Sequence, residues 1–283
     1  MNIRQQIETA AGINVSAISS LGGGCVGQVY RVHLADGTTV VAKVDEQTEP
    51  RLDIEGYMLR YLHEHSNLPV PEVLYCSPTI LLMSFLPGES RFSKRTQQHA
   101  AELLAALHEV SAPAFGLERS TLIGGLHQPN PWGDSWLSFF CDQRILYMAH
   151  EGVRCGRLPA GIYSRLQRFC ARLDRWLQEP EHPSLIHGDV WTTNVLATGD
   201  GVTGFIDPAI YFADPEIELA FTTLFGTFGD SFFARYQEIR PIRSGFFEER
   251  RDIYNLYPLL VHVRLFGGSY VQSVENTLRR FGF

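Results

Sequence analysis

The stretch from Gly22 to Val44 restricts the architecture more than any other part of the chain. Residues 22–29 read GGGCVGQV, a G-x-G-x-x-G-x-V pattern formed by Gly22, Gly24, Gly27 and Val29. A dinucleotide-binding βαβ unit would carry such glycines straight into a helix. Here VYRVHL (29–34) alternates, Asp36-Gly37 supplies a tight turn, and TTVVAKV (38–44) returns, so the loop opens a β-hairpin. The returning strand carries Lys43 among apolar residues, and an ammonium in that setting needs an anion.

A glycine loop, a hairpin and a Lys on the third strand form the arrangement with which protein kinases offset nucleotide phosphate charge. Residues 51–65 (RLDIEGYMLRYLHEH) are expected to be a helix despite Gly56, which places Glu55 as the ion-pair partner of Lys43. LPVPEVLYC then leads to another strand, TILLMSFL. Beyond Pro87-Gly88 the pattern turns helical, at 96–110 (TQQHAAELLAALHEV), at 162–178 (IYSRLQRFCARLDRWLQ), and again from Ile217 onward. Trp132 and Trp136, at i and i+4, are expected on one helical face. The coarse expectation is an α+β, bilobal chain: a β-rich lobe over residues 1–86 with one key helix, and a mostly helical lobe over 87–283.

Composition narrows the partners. The chain has 283 residues, 45% of them apolar, which exceeds what one core usually fills and accords with two lobes. A formal net charge of -7 without any Lys/Arg cluster speaks against nucleic acid or an anionic membrane and for a small-molecule partner. The start, MNIRQQIETAAGINV, lacks the apolar region of a signal peptide, and no run of 18 apolar residues occurs, so a cytoplasmic location is expected. Cys25, Cys76, Cys141, Cys155 and Cys170 are scattered without a C-x-x-C pair, as in reduced thiols. Composition leaves monomer or homodimer open.

The chemistry concentrates in IHGDVWTTNVL (186–196). His187, Asp189 and Asn194 match H-x-D-x-x-x-x-N, and GFIDP places Asp207 after an apolar run. Phosphoryl transfer needs a carboxylate to orient the acceptor hydroxyl and take its proton, and hard oxygen ligands for Mg²⁺. Asp189 suits the first task, Asn194 and Asp207 the second. His187 is expected to orient the loop. Cys25, in the glycine loop, is a thiol that oxidation could turn against ATP binding.

Over nearly its whole length the chain resembles the fructosamine (ketosamine) kinases, on the aminoglycoside-phosphotransferase-like branch of the protein-kinase-like fold. The resemblance rests on GGGC, on QPNPWGDSWLSFF (128–140), HGDVWTTN (187–194), FIDPAIYFADPEIELAF (205–221), LFGTF (224–228) and VRLFGGSY (263–270). It implies transfer of the ATP γ-phosphate to a sugar hydroxyl of a ketoamine, such as a fructosyl- or ribulosyl-lysine adduct, in a deglycation repair. It also implies Asp189 as base, Asn194 and Asp207 on Mg²⁺, Lys43 on the phosphates, and Glu55 paired with it. Gly22, Gly23, Gly24, Cys25 and Gly27 would cover the phosphates, with Met83 to Leu86, including Phe85, along the adenine. Trp191, Asp214 and His262 are the candidates for substrate contact, and Glu218 is expected to anchor the catalytic loop. The chain departs from the family's usual HGDLWxGN at Val190 and Thr192-Thr193, although Asp and Asn keep their spacing. Two alternatives stay open: a kinase of this fold for another hydroxyl (aminoglycoside, choline or a homoserine-like metabolite), and a nucleotide-binding pseudokinase.

Overall fold

The computed structural model describes residues 2–22, 27–199 and 201–283. Helix α1 (Ile3–Ala11) opens on a capping box between Asn2 and Gln5 and ends on left-handed Gly12. Strands β1 (Val15–Leu21), β2 (Gln28–Leu34) and β3 (Thr39–Val44), helix α2 (Leu52–His65), then β4 (Val73–Cys76) and β5 (Ile80–Ser84) follow. The strands form one antiparallel sheet in the order β1-β2-β3-β5-β4. Strand periodicity sorts its two faces. Val32, Val40, Ala42, Ile80 and Leu82 pack with Ile7 of α1 in a small core of their own. Lys43, opposite Leu81 in the register, belongs to the other face.

Past β5 the chain crosses to α3 (Lys94–His108), whose N-cap Ser93 accepts the Thr96 N–H. The hairpin β6 (Thr121–Ile123) and β7 (Leu126–Gln128) comes next. Helix α4 (Trp136–Phe139) runs through a π-helical turn (Phe140–Leu146) into α5 (Tyr147–Arg154), and α6 (Ala160–Cys170) follows. Four short strands build the platform of the site: β8 (Ser184–Ile186), β9 (Val195–Thr198), β10 (Gly201–Phe205) and β11 (Tyr211–Ala213), paired β8 with β11 and β9 with β10. Helices α7 (Glu216–Leu224), α8 (Asp230–Ile239), α9 (Arg251–Tyr254), α10 (Leu256–Phe266) and α11 (Ser269–Arg280) complete the chain. Among the described residues no helix is long and apolar enough to cross a membrane.

The larger core joins the two halves. Leu52, Met58, Leu59 and Leu62 of α2 are buried in the same cluster as Ala100 and Leu104 of α3 and the central C-terminal helices. The Tyr57 hydroxyl donates to Glu118, and the Arg119 guanidinium lies 4.6 Å over the Tyr57 ring. Helix α2 is therefore an N-terminal element seated on C-terminal residues, which fixes the position of Glu55.

Three local expectations differ. A second N-terminal helix, α1, is present: Ile3, Ile7, Ala10 and Ala11 fall on one face against the sheet, a pattern too short, at nine residues, to stand out. The segment expected as helix 162–178 stops being α-helical at Cys170 and continues as a tight 3₁₀ turn over Leu173–Arg175, with Leu173 and Leu177 still buried. Trp132 precedes α4 rather than sharing its face. Ser135 caps the helix at Trp136, and Trp132 is left 49% exposed against the complete burial of Trp136.

Candidate active site

Lys43 projects from β3 into contact with two carboxylates. Its Nζ donates to Glu55 Oε1 of α2 at 2.6 Å and to Asp207 Oδ1, 164 positions further along the chain. Burial works against the ammonium, but the charges of Asp207 and Glu55 outweigh it and raise its pKa, so Lys43 stays charged. Burial pushes the Glu55 carboxyl up, opposed by Lys43 and assisted by Asp207. Asp207 takes a left-handed backbone, with φ 55°, the only positive φ of a non-glycine among the described residues. Such a conformation costs about 1–3 kcal/mol and persists where the surroundings over-determine it.

Asp189 lies between β8 and β9. Its carboxylate accepts from Asn194 Nδ2 at 2.8 Å, and the same amide nitrogen donates to the Asp189 carbonyl at 3.0 Å. The 3₁₀ turn Thr192–Asn194 makes this possible by bringing the fifth residue after Asp189 back over it. Burial, the nearby charge of Asp207 and that of Glu218 raise the Asp189 pKa well above the usual aspartate value, against the hydrogen bond from Asn194. The loop is held from behind. Glu218 of α7 accepts the N–H groups of Gly188 at 2.6 Å and His187 at 3.3 Å, and is bonded to His108 Nε2 at 2.9 Å, whose Nδ1 meets the Tyr236 hydroxyl at 2.7 Å. Gly188 has φ 85°, and a Cβ there would lie 2.1 Å from the Ala209 carbonyl oxygen, so only glycine lets the loop sit this close. Asp189 N–H donates to His187 Nδ1 at 3.3 Å.

The remaining expected residues fall into three groups. Gly27 turns with φ 70° where a Cβ would meet the Val44 carbonyl at 2.6 Å, Met83 is buried in β5, and Phe85, just past β5, lies under the Arg31 guanidinium at 4.5 Å; all belong to the N-terminal sheet and the segment that leaves it. Gly22 is an exposed residue just past β1, and Gly23, Gly24 and Cys25 lie outside the described residues, so the oxidation expected at Cys25 is not addressed. The segment that leaves the sheet is strapped to the catalytic platform by reciprocal N–H···O bonds between Glu89 and Ala197, at 2.9 and 3.0 Å.

On the other side of Asp189 a small cavity of about 30 Å³ is bounded by Gly188, Asp189, Tyr211, Glu218, Tyr257 and His262. His262 is thus in the site, its Nδ1 donating to the Pro258 carbonyl at 2.7 Å, and burial lowers its pKa so that the neutral ring prevails. Trp191 is half-buried beside Phe225, ring centres 5.5 Å apart, and Phe225 in turn lies 5.0 Å from the His262 ring centre. Asp214 is not in the site. It is 1% exposed and committed to Arg243 at 2.6 Å, the Tyr254 hydroxyl at 2.9 Å and the Glu216 N–H at 2.9 Å, which leaves no face for a substrate. Sequence reasoning missed His108, Tyr236, Tyr211, Tyr257 and Gln128. Gln128 and Tyr211 carried a signal only as members of the stretches QPNPWGDSWLSFF and FIDPAIYFADPEIELAF.

A metal site can be judged on donor chemistry. Asn194 spends its amide nitrogen on Asp189 and keeps an amide oxygen that accepts from the Thr193 hydroxyl at 3.3 Å, and Asp207 has one carboxylate oxygen beyond the one bonded to Lys43. Two hard oxygens complemented by phosphate and water suit Mg²⁺, which is held by few protein ligands.

A family model for fructosamine kinase matches residues 1–281. The chain belongs to the fructosamine kinase family. Its relatives include a probable ketoamine kinase of Synechocystis, 33% identical over 98% of this chain and 95% of the relative. A chloroplastic protein-ribulosamine 3-kinase of rice (Oryza sativa subsp. indica) is 29% identical over 98% and 82%. Among solved structures, a candidate fructosamine-3-kinase from Thermobifida fusca superposes with a TM-score of 0.88 at 31% identity, covering 98% of this chain and 97% of the other. An aminoglycoside phosphotransferase solved with ADP and hygromycin B, at 16% identity and TM-score 0.71, shares the fold. Like the rest of the fructosamine kinase family, this chain is a kinase with a bilobal, protein-kinase-like fold, sheet-rich at its N-terminus and helical beyond, and membership implies ATP use.

Proposed function

We propose that the protein transfers the γ-phosphoryl group of ATP to a sugar hydroxyl of a ketoamine, a fructosyl or ribulosyl adduct of lysine or another amine, in a deglycation repair. The observation that carries this reading is the convergence of Lys43, Glu55, Asp207, Asn194 and Asp189 at the junction of the two halves, in a chain of the fructosamine kinase family. Residues 1–86 would form the nucleotide lobe, with Lys43 on the phosphates, Glu55 holding it there, and Met83 to Leu86 along the base. Residues 87–283 would carry the acceptor.

In the transfer, the acceptor oxygen forms a bond to the γ-phosphorus as the bond to the β,γ-bridging oxygen breaks and ADP departs. Asp189 orients the acceptor hydroxyl and takes its proton, while the Asn194 amide holds the carboxylate in place. Asn194 and Asp207 would hold Mg²⁺, which neutralises phosphate charge when bound. Lys43, freed from Asp207 by that exchange of partners, would keep its bond to Glu55 and turn its remaining donors to phosphate oxygens. The neutral His262 and the ring of Trp191 offer a surface for the sugar and the amine it carries.

The test is ATP consumption with Mg²⁺ over ribulosyl-lysine, fructosyl-lysine, an aminoglycoside, choline and no acceptor. Turnover is expected on a ketoamine and should fall by about 10²- to 10⁴-fold in Asp189→Asn. Turnover confined to another acceptor would overturn the substrate, and ATP binding without turnover on any acceptor would overturn the enzyme.

A further inference from the structure

Arg144 is a buried cation without an anion. It sits on the π-helical turn between α4 and α5, is 0% exposed, and among the described residues makes no ion pair. Its NH1 donates to the carbonyls of Pro129 at 2.8 Å and Gln143 at 2.9 Å, its NH2 to Asn130 Oδ1 at 2.6 Å, and its Nε has no partner. A buried guanidinium left in this state is costly, and an apolar side chain of similar volume would be the more stable occupant. What surrounds the charge instead is aromatic: its central carbon lies 3.8 Å from the Tyr211 ring centre, 4.7 Å from Phe139 and 5.5 Å from Tyr257. Tyr211 and Tyr257 both bound the cavity beside Asp189, together with Phe221 and His262.

The same wall is tied from a second direction. The Tyr257 hydroxyl donates to Gln128 Oε1 at 2.6 Å, and Gln128 Nε2 donates to Thr121 at 2.8 Å and to the Ala209 carbonyl at 3.0 Å. Asn130, which receives Arg144, donates to Thr121 as well, at 2.8 Å. Each member is buried, so every bond is made in a low-dielectric interior where losing it is expensive.

We infer that Arg144 is a positioning residue of the acceptor site: its planar guanidinium, 3.8 Å from the Tyr211 ring centre and 5.5 Å from that of Tyr257, sets the wall that holds the acceptor hydroxyl against Asp189. This rests on the reading that Asp189 is the base and that the cavity beside it, about the size of one water, receives the acceptor hydroxyl. A flat, delocalised cation can lie near both rings while bonding to Asn130; a lysine ammonium keeps the charge and loses the plane. Among the described residues Lys43, Glu55 and Asp207 make no hydrogen bond to this network, although α2 packs against β6, which carries Thr121.

The experiment compares the parent, Arg144→Lys and Tyr257→Phe, using whichever acceptor the parent turns over, with thermal melting to verify folding. For Arg144→Lys, acceptor kcat/KM is expected to fall about 10- to 100-fold, because small misplacements of a reacting group are costly. KM for ATP should stay within about twofold. ADP formed per phosphorylated acceptor should rise above one, as water replaces a poorly held hydroxyl. Tyr257→Phe keeps the ring and cuts one tether, so a fall of roughly 3- to 10-fold with the same selectivity is expected. If Arg144→Lys does not fold, Tyr257→Phe decides by the same criteria. Parental acceptor kinetics in a folded variant, or equal losses toward ATP and acceptor, would overturn the inference. A parent inactive on ketoamines but active on another hydroxyl would overturn the substrate alone, and the wall would be tested with that acceptor.

Discussion

Asp189 is under two opposed demands. Catalysis needs it ionised, whereas burial and the charges of Asp207 and Glu218 favour the neutral acid. A carboxyl whose folded pKa exceeds its unfolded value binds protons on folding, so its contribution to stability declines as pH rises from about 4 through the folded pKa. Asp189→Asn removes this cost and retains an acceptor for the Asn194 amide. In Mg²⁺-free buffer at pH 7 the variant is therefore expected to melt at or above the parent temperature, with a flatter dependence of stability on pH, although its turnover is lost. Melting curves of both proteins from pH 5 to 8 would decide this, and a variant less stable throughout would contradict the assigned burial cost.

At the scale of elements, α2 holds the site together because Glu55 shares its buried face with the core residues Leu52, Leu59 and Leu62. Gly56, which weakened the expectation of a helix there, has a packing reason: a Cβ would lie 2.3 Å from Cys76 Sγ on β4 and 3.2 Å from its Cβ. Replacing glycine by alanine in a helix gains about 1 kcal/mol of propensity, and overpacking costs roughly 1–3 kcal/mol. Contact with β4 should win, so Gly56→Ala is expected to lower stability by about 1 kcal/mol and to weaken ATP binding by displacing Glu55. Adding Cys76→Ala should recover part of both losses. Urea unfolding of the single and double variants measures the first, and ATP titration the second. A stabilised Gly56→Ala would mean that β4 yields freely.

For the whole molecule, the shared core has a thermodynamic consequence. Because α2 contributes buried residues to the same cluster as the C-terminal helices, the two halves should unfold together in one transition. A ligand bound only by the folded state adds about 2.7 kcal/mol at a hundredfold excess over Kd, so saturating ATP with Mg²⁺ should raise that single transition by several degrees. Lys43→Ala should abolish most of the shift. Calorimetry would show it; two resolved transitions, with only the first moving on ATP addition, would contradict the shared core.

What the sequence determined by itself was whatever local pattern encodes: the hairpin after the glycines, Lys43 on its returning strand, the spacing of Asp189 and Asn194, and Asp207 after an apolar run. Turn chemistry and strand alternation act over a few residues, so they can be read directly. Tertiary structure decided which charges meet. Asp189 and Asp214 both follow apolar segments, yet one reaches the cleft and the other is sealed by Arg243 and Tyr254, residues 29 and 40 positions away. Lys43 finds Asp207 across 164 positions, Glu218 finds the catalytic loop from α7, and Arg144 finds two tyrosines instead of a carboxylate. A charged side chain looks the same in sequence whether solvent, a counter-ion or an aromatic ring will compensate it. Only the packing that brings distant elements together makes that choice, because compensation depends on distance and on exclusion of water.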